Sequence, residues 1–169
     1  MVETHISLSV NRLLNEDTYA IPLYQRNFAW TYDEIEQLLN DVADAFQENR
    51  DNYYIGTLVV NKENDIFKII DGQQRTTALN LIALALKHEF GFDLLKAVNL
   101  TFPARKKSNE NIQKLFTKEK ISEDDENELT RGYGHAKDAL KKVLEERHLN
   151  PQSFVDYLFD KVIIFRSIL

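Results

Sequence analysis

The chain has 169 residues, a formal net charge of −6, a hydrophobic fraction of 43% and no cysteine. That length supports one domain with a real core and is short for two, and the lack of cysteine excludes a disulfide frame, a thiolate nucleophile and a cysteine-based zinc site. The acidic balance argues against a uniformly basic nucleic-acid-binding surface while leaving room for a local basic patch. No run of about 18 apolar residues occurs, so no membrane span is expected. The stretch Met1–His5 lacks the basic and apolar regions of a signal peptide. A cytoplasmic protein is the expectation.

Taken in order, residues 6–14 carry a short helix or strand, and periodicity does not decide between them. Tyr19-Ala20-Ile21 runs into Pro22, which biases the preceding residue towards extended geometry. The stretch Ile21 to Trp30 is dense in aromatic and hydrogen-bonding groups. Tyr24, Phe28 and Trp30 are expected as core anchors. Gln25 and Arg26 fit either a packed connection or a polar contribution to a site.

A helix should follow, because Thr31-x-x-Glu34 has the form of a capping box and Ile35, Leu38, Leu39, Val42 and Phe46 recur at helical spacing. The polar run Gln47 to Asn52 ends it. Tyr53 to Val60 is β-rich, with Gly56 marking a bend or a close approach. A polar turn at 61–65 and a second apolar run, Ile66 to Ile70, make a β-hairpin. From about Gln73 to Phe90 the chain is apolar around most of a helix, the expected central buried helix, ending near Gly91.

The second half reads as helical and more polar. Helices are expected near 109–118, over 123–148 with a break at Gly132 or Gly134, and over 151–159. The last has Asn150 as N-cap and Pro151 as its first residue. Arg105-Lys106-Lys107, with Lys114, Lys118 and Lys120, is the candidate basic patch. The acidic block Glu123–Glu126 follows it closely, so the pair reads as solvated surface. Val162–Phe165 looks like a buried strand, and an apolar run so close to Leu169 leads us to expect a fragment of a longer protein.

The chemistry concentrates at Asp71-Gly72-Gln73-Gln74-Arg75, between the second strand and the buried helix. Gly72 can take backbone angles closed to other residues and lets a ligand approach the main chain. The first amides of a helix lack partners within it and favour an anion. Arg75, one turn in, offers a planar fork matched to phosphate oxygens. Asp71 could hold a metal ion, orient a water or cap the helix. A plain strand–turn–helix capped by Asp71 accounts for Asp-Gly equally well. Capping needs none of Gln73, Gln74 and Arg75, and all three could reach a ligand. A P-loop, a His-Glu-x-x-His zinc motif and a Gly-x-Ser-x-Gly elbow are absent, and the four histidines show no metal-ligand spacing.

Two motifs in order resemble a known family. Ile-Pro-x-Tyr-Gln-Arg-x-(Tyr/Phe)-x-Trp is met by Ile21, Pro22, Tyr24, Gln25, Arg26, Phe28 and Trp30, and Asp-Gly-Gln-Gln-Arg-x-Thr by Asp71 to Arg75 and Thr77. Tyr54-Ile55-Gly56 fits the strand between them. The pattern is similar to the N-terminal domain of GmrSD-type restriction endonucleases of bacterial and archaeal phage defence, closely over residues 7–86.

The residues themselves point to an α/β (α+β) fold, a small mixed sheet packed on the central buried helix and followed by a helical half. The resemblance adds a ParB/sulfiredoxin-like nucleotide-binding core over 1–100, with 101–169 as a helical extension of the same domain. It implies that Gly72-Gln73-Gln74-Arg75 is a phosphate-binding turn. Sulfiredoxins carry a cysteine there, and this chain has none, so cysteine-sulfinate repair is excluded.

The resemblance further implies a nucleoside triphosphate with Mg2+. Gln25, Arg26, Gly72, Gln73, Arg75 and Thr76 are the expected binding residues, Asp71 the metal-positioning residue, and Asp71 with Gln74 the catalytic pair. The implied function is a nucleotide-hydrolysing domain that regulates DNA cleavage carried out elsewhere in a longer chain, DNA being met through that chain. Two rivals stand beside it: a non-catalytic module binding DNA or a partner protein, and a nuclease acting through the same pocket.

Overall fold

The computed structural model describes residues 4–169. In chain order the elements are β1 (His5–Ser9), α1 (Val10–Asn15), β2 (Thr18–Ala20), α2 (Tyr32–Gln47), β3 (Tyr53–Glu63), β4 (Ile66–Asp71) and α3 (Gln73–Glu89). They are followed by β5 (Leu100–Thr101), α4 (Lys106–Thr117), a 3-10 turn (Glu123–Asp125), α5 (Glu128–Glu146), α6 (Pro151–Asp160) and β6 (Val162–Ile168). The strands form one mixed sheet in the order β1-β6-β3-β4-β2-β5, so the α/β reading holds. The last strand lies inside the sheet, antiparallel to β1 and parallel to β3. No helix among the described residues is long and apolar enough to cross a membrane.

The central helix is as expected. From Thr76 to Leu86 every residue of α3 is buried, and α3 packs against α5, which also packs against α2. A Cβ at Gly132 would lie 2.7 Å from both Leu81 Cδ1 and Phe28 Cε2. That glycine therefore lets α5 close on α3 and on the loop carrying Phe28. Glycine weakens an isolated helix, but here close packing offsets the cost and α5 runs unbroken through both glycines. The break falls at Glu126–Asn127 instead, where the Asn127 side chain accepts the Leu129 and Thr130 amides and starts the helix afresh.

Other boundaries have equally local causes. Residues 6–14 are strand and then helix, because the Ser9 hydroxyl accepts the Arg12 N–H and caps α1. The hairpin turn tightens to Asn64-Asp65, whose φ values of 52° and 65° suit a two-residue turn that matches strand twist. Thr31 and Glu34 cap α2 as expected, and Asn150 and Pro151 begin α6. Tyr24 departs from its expected place in the core: it is 75% exposed, while Phe28 is buried and Trp30 packs half-buried against the core.

Arg166 of β6 is 4% exposed. Its Nη1 donates to Asp17 Oδ2 at 2.7 Å and to the Tyr19 hydroxyl at 2.8 Å, and the guanidinium lies 4.1 Å from the Phe67 ring centroid. Burial dominates the Tyr19 phenol and pushes its pKa up to about 12, despite the opposing pull of Arg166. A free tyrosine titrates near 10, so the folded state holds this proton more tightly than the unfolded chain. The corresponding stability is present below about pH 10 and is lost as pH rises to about 12, on the order of 2–3 kcal/mol. Urea melts across this window should show the decline, and Tyr19→Phe should reduce its slope.

Candidate functional site

β4 reaches the site through an irregularity. Val60 pairs with Ile69 but Val59 pairs with Asp71, so Ile70 is an extra residue in the ladder. A bulged residue loses its pairing and bends its strand. The Ile70 carbonyl is accounted for by Gln25, whose Nε2 donates to it at 2.9 Å. Gly72 then sits at φ 106°, in left-handed space, and serves as N-cap of α3. Asp71 is thus not the cap. Its side chain is exposed and makes no hydrogen bond or ion pair among the described residues.

The helix start is open. The Ser9, Asn127 and Asn150 side chains cap α1, α5 and α6, whereas no side chain caps α3. Its first intrahelical bond runs from the Thr76 N–H to the Gly72 carbonyl at 3.0 Å. The amides of Gln73, Gln74 and Arg75 therefore have no partner within the helix and carry its positive end.

The loop 21–30 lies over this opening; the Ile21 N–H still donates to the Thr101 carbonyl at 2.9 Å, and beyond it the loop is held largely by side chains. Gln74 is 9% exposed. Its Oε1 accepts the Ala29 N–H at 2.7 Å and its Nε2 donates to the Asn27 carbonyl at 3.0 Å. From the other side Arg105 Nη2 donates to the Leu23 carbonyl at 3.0 Å and to the Gln25 carbonyl. A segment with no regular structure thereby gains a fixed path.

The two polar motifs consequently share one pocket of about 240 Å3, lined by Arg26, Trp30, Asp71, Gly72, Gln73, Gln74 and Arg75. Among the described residues neither arginine has an ion pair, although both face the same space as Asp71. The Arg75 guanidinium lies across Gly56: a Cβ there would be 2.6 Å from Nη1. Gly56 is at φ 134°, and both its backbone angle and its missing side chain make room for the arginine.

Not every candidate faces the pocket alike. Gln73 is half-buried on its wall, with no side-chain hydrogen bond among the described residues. Gln25 and Gln74 spend amide groups on backbone. Thr76 is 1% exposed, its Oγ1 is buried without a partner, and it is absent from the lining. Arg105 is a positioning residue that sequence reading assigned to the solvated basic run. Its partners lie about 80 positions away, and no local pattern could have announced them. Trp30 was legible as an anchor but not as a pocket wall.

The chain matches the family model described as GmrSD restriction endonuclease, N-terminal domain, over residues 10–168. The match takes in both polar motifs and every strand except β1. No curated protein matches the chain.

Proposed function

Because the chain belongs to the GmrSD restriction endonuclease N-terminal domain family, we propose that its pocket binds and hydrolyses a nucleoside triphosphate in the cytoplasm, and that this regulates DNA cleavage carried out elsewhere in a longer protein. The observation that carries the reading is the convergence on one pocket of an uncapped helix start and two arginines that have no ion pair among the described residues. Arg26 and Arg75 supply charge-assisted donors from opposite motifs, and the amides of Gln73 to Arg75 add fixed partial charge. Such donors stabilise the charge of a phosphoryl group in transfer without having to reorganise.

Among the described residues Asp71 is the one carboxylate in the pocket lining, and no group of three His, Asp or Glu side chains is set to hold a metal by itself. A single exposed carboxylate beside a phosphate site fits the habit of Mg2+, which takes one or two carboxylates plus phosphate oxygens and waters. Asp71 would hold the ion there, and the ion would supply neutralisation of phosphate charge. Gln73, its amide free at the wall, orients the attacking water. Gln74 acts through the loop by keeping Arg26 and Trp30 in place, and Gln25 does the same by holding the strand end.

Isothermal titration of each nucleoside triphosphate with magnesium, followed by phosphate release, tests the reading. Binding and slow turnover are expected, together with no nicking of plasmid DNA by this chain alone. Metal-dependent cutting that Asp71→Asn abolishes would instead make the pocket a nuclease site. Absence of any nucleotide binding would leave a non-catalytic module.

A further inference from the structure

A second hollow of about 230 Å3 adjoins the first, lined by Trp30, Glu34, Gln37, Leu38, Asp41, Tyr53, Tyr54, Ile55 and Arg75. Trp30 and Arg75 belong to both linings. We propose that this hollow is the nucleoside subsite: it takes the base and ribose of a nucleotide whose phosphates lie between Arg26, Arg75 and the start of α3. The proposal rests on the phosphate reading of the first pocket. Neither hollow alone reaches the ~300 Å3 at which ordinary small-molecule sites begin, and the pair together does.

Local geometry gives the hollow its walls. Along a regular strand successive side chains point to opposite faces, yet Tyr53, Tyr54 and Ile55 all line it. The pairing with β6 explains this. Tyr54 is opposite Ile163 and Gly56 opposite Ile164, so Ile55 is the extra residue of a bulge that turns the chain. Across from β3, α2 presents Glu34, Gln37, Leu38 and Asp41, whose spacing of three, four and seven places them on one helix face. Burial and then the Asp41 carboxylate push the Tyr53 phenol up, with Arg50 and, more weakly, Arg75 acting against them. The phenol, that carboxylate and the Arg75 guanidinium all line the hollow.

Charge fixes which end of a nucleotide goes where. Glu34 Oε2 accepts both the Thr31 N–H and its hydroxyl, and Oε1 has no hydrogen bond among the described residues. Asp41 Oδ1 accepts the Gln37 amide at 2.7 Å, and Oδ2 has no hydrogen bond among the described residues. These free groups are acceptors and carry negative charge, so they repel a phosphate and suit the hydroxyl and N–H donors of a nucleoside. Trp30, Tyr53 and Tyr54 supply ring faces and edges on which a base can stack. Arg26 and the open amides of the first pocket, with Arg75 at the junction of the two hollows, suit the phosphates.

The test compares inorganic tripolyphosphate, which can fill only the phosphate pocket, with ATP, GTP, CTP and UTP, all with magnesium. At least one nucleotide should bind about 5- to 150-fold more tightly than tripolyphosphate, the range one base–aromatic stack contributes. Tyr53→Ala should erase most of that difference while tripolyphosphate affinity stays within about twofold. Tyr54→Ala, at a residue 56% exposed, keeps the test open if Tyr53→Ala melts early, and Asp41→Asn should narrow the difference by weakening an acceptor. If tripolyphosphate matches every nucleotide, or the variants weaken both kinds of ligand equally, the nucleoside subsite is wrong and the phosphate pocket survives. If no polyphosphate binds at all, both readings fall.

Discussion

Arg75→Ala is expected to weaken nucleotide binding roughly 10- to 150-fold, the equivalent of removing one hydrogen-bonded partner of a charged group worth about 1.5–3 kcal/mol. The arginine is one turn into α3, lines the phosphate pocket and has no ion pair among the described residues. It is not tied to Asp71, so its removal strands no buried partner. The melting temperature should therefore stay close to that of the wild type. Arg75→Lys should recover only part of the affinity, because an ammonium keeps the charge and loses the planar fork. Calorimetry on the three proteins, with melts alongside, reads both quantities. A large drop in melting temperature at full nucleotide affinity would make Arg75 a structural residue and remove it from the site.

The parts of this fold that could be read from the sequence are those whose cause is local. Capping at Thr31 and Asn150, the apolar stripe of α2 and the all-round apolar composition of α3 each act within a few residues. The same is true of the Asp71–Arg75 turn, where Gly72 takes the left-handed angle that the motif requires. What was illegible depends on pairing across the chain. Gly132 reads as a helix breaker until Leu81 and Phe28 are seen packed on it. Gln74 reads as a ligand contact, while its amide is occupied by backbone 45 and 47 positions earlier. Tyr24 sits in a loop whose core-facing residues are decided by where that loop is pinned. Arg105 belongs to the same account, since its role exists only because residues 21–30 pass beside it.

Gly56→Ala should lower both stability and nucleotide affinity, and the two losses have separate origins. At φ 134° a side chain is strained whatever space surrounds it, at a cost of order 1–3 kcal/mol. That part appears in a urea melt. The new Cβ would also stand 2.6 Å from Arg75 Nη1. Because Nη1 is the far end of a flexible side chain, the clash is relieved by moving the guanidinium rather than the strand. The arginine then leaves the position it holds between the two hollows, and affinity falls by up to the roughly 10- to 150-fold assigned to Arg75. A double-variant cycle isolates this second part, since residues in contact do not act additively. In an Arg75→Ala background there is no guanidinium to displace. Gly56→Ala should there still lower the urea midpoint but cost little further affinity. Full additivity of the two affinity losses would show that Gly56 shapes the pocket by some route other than the seat of Arg75.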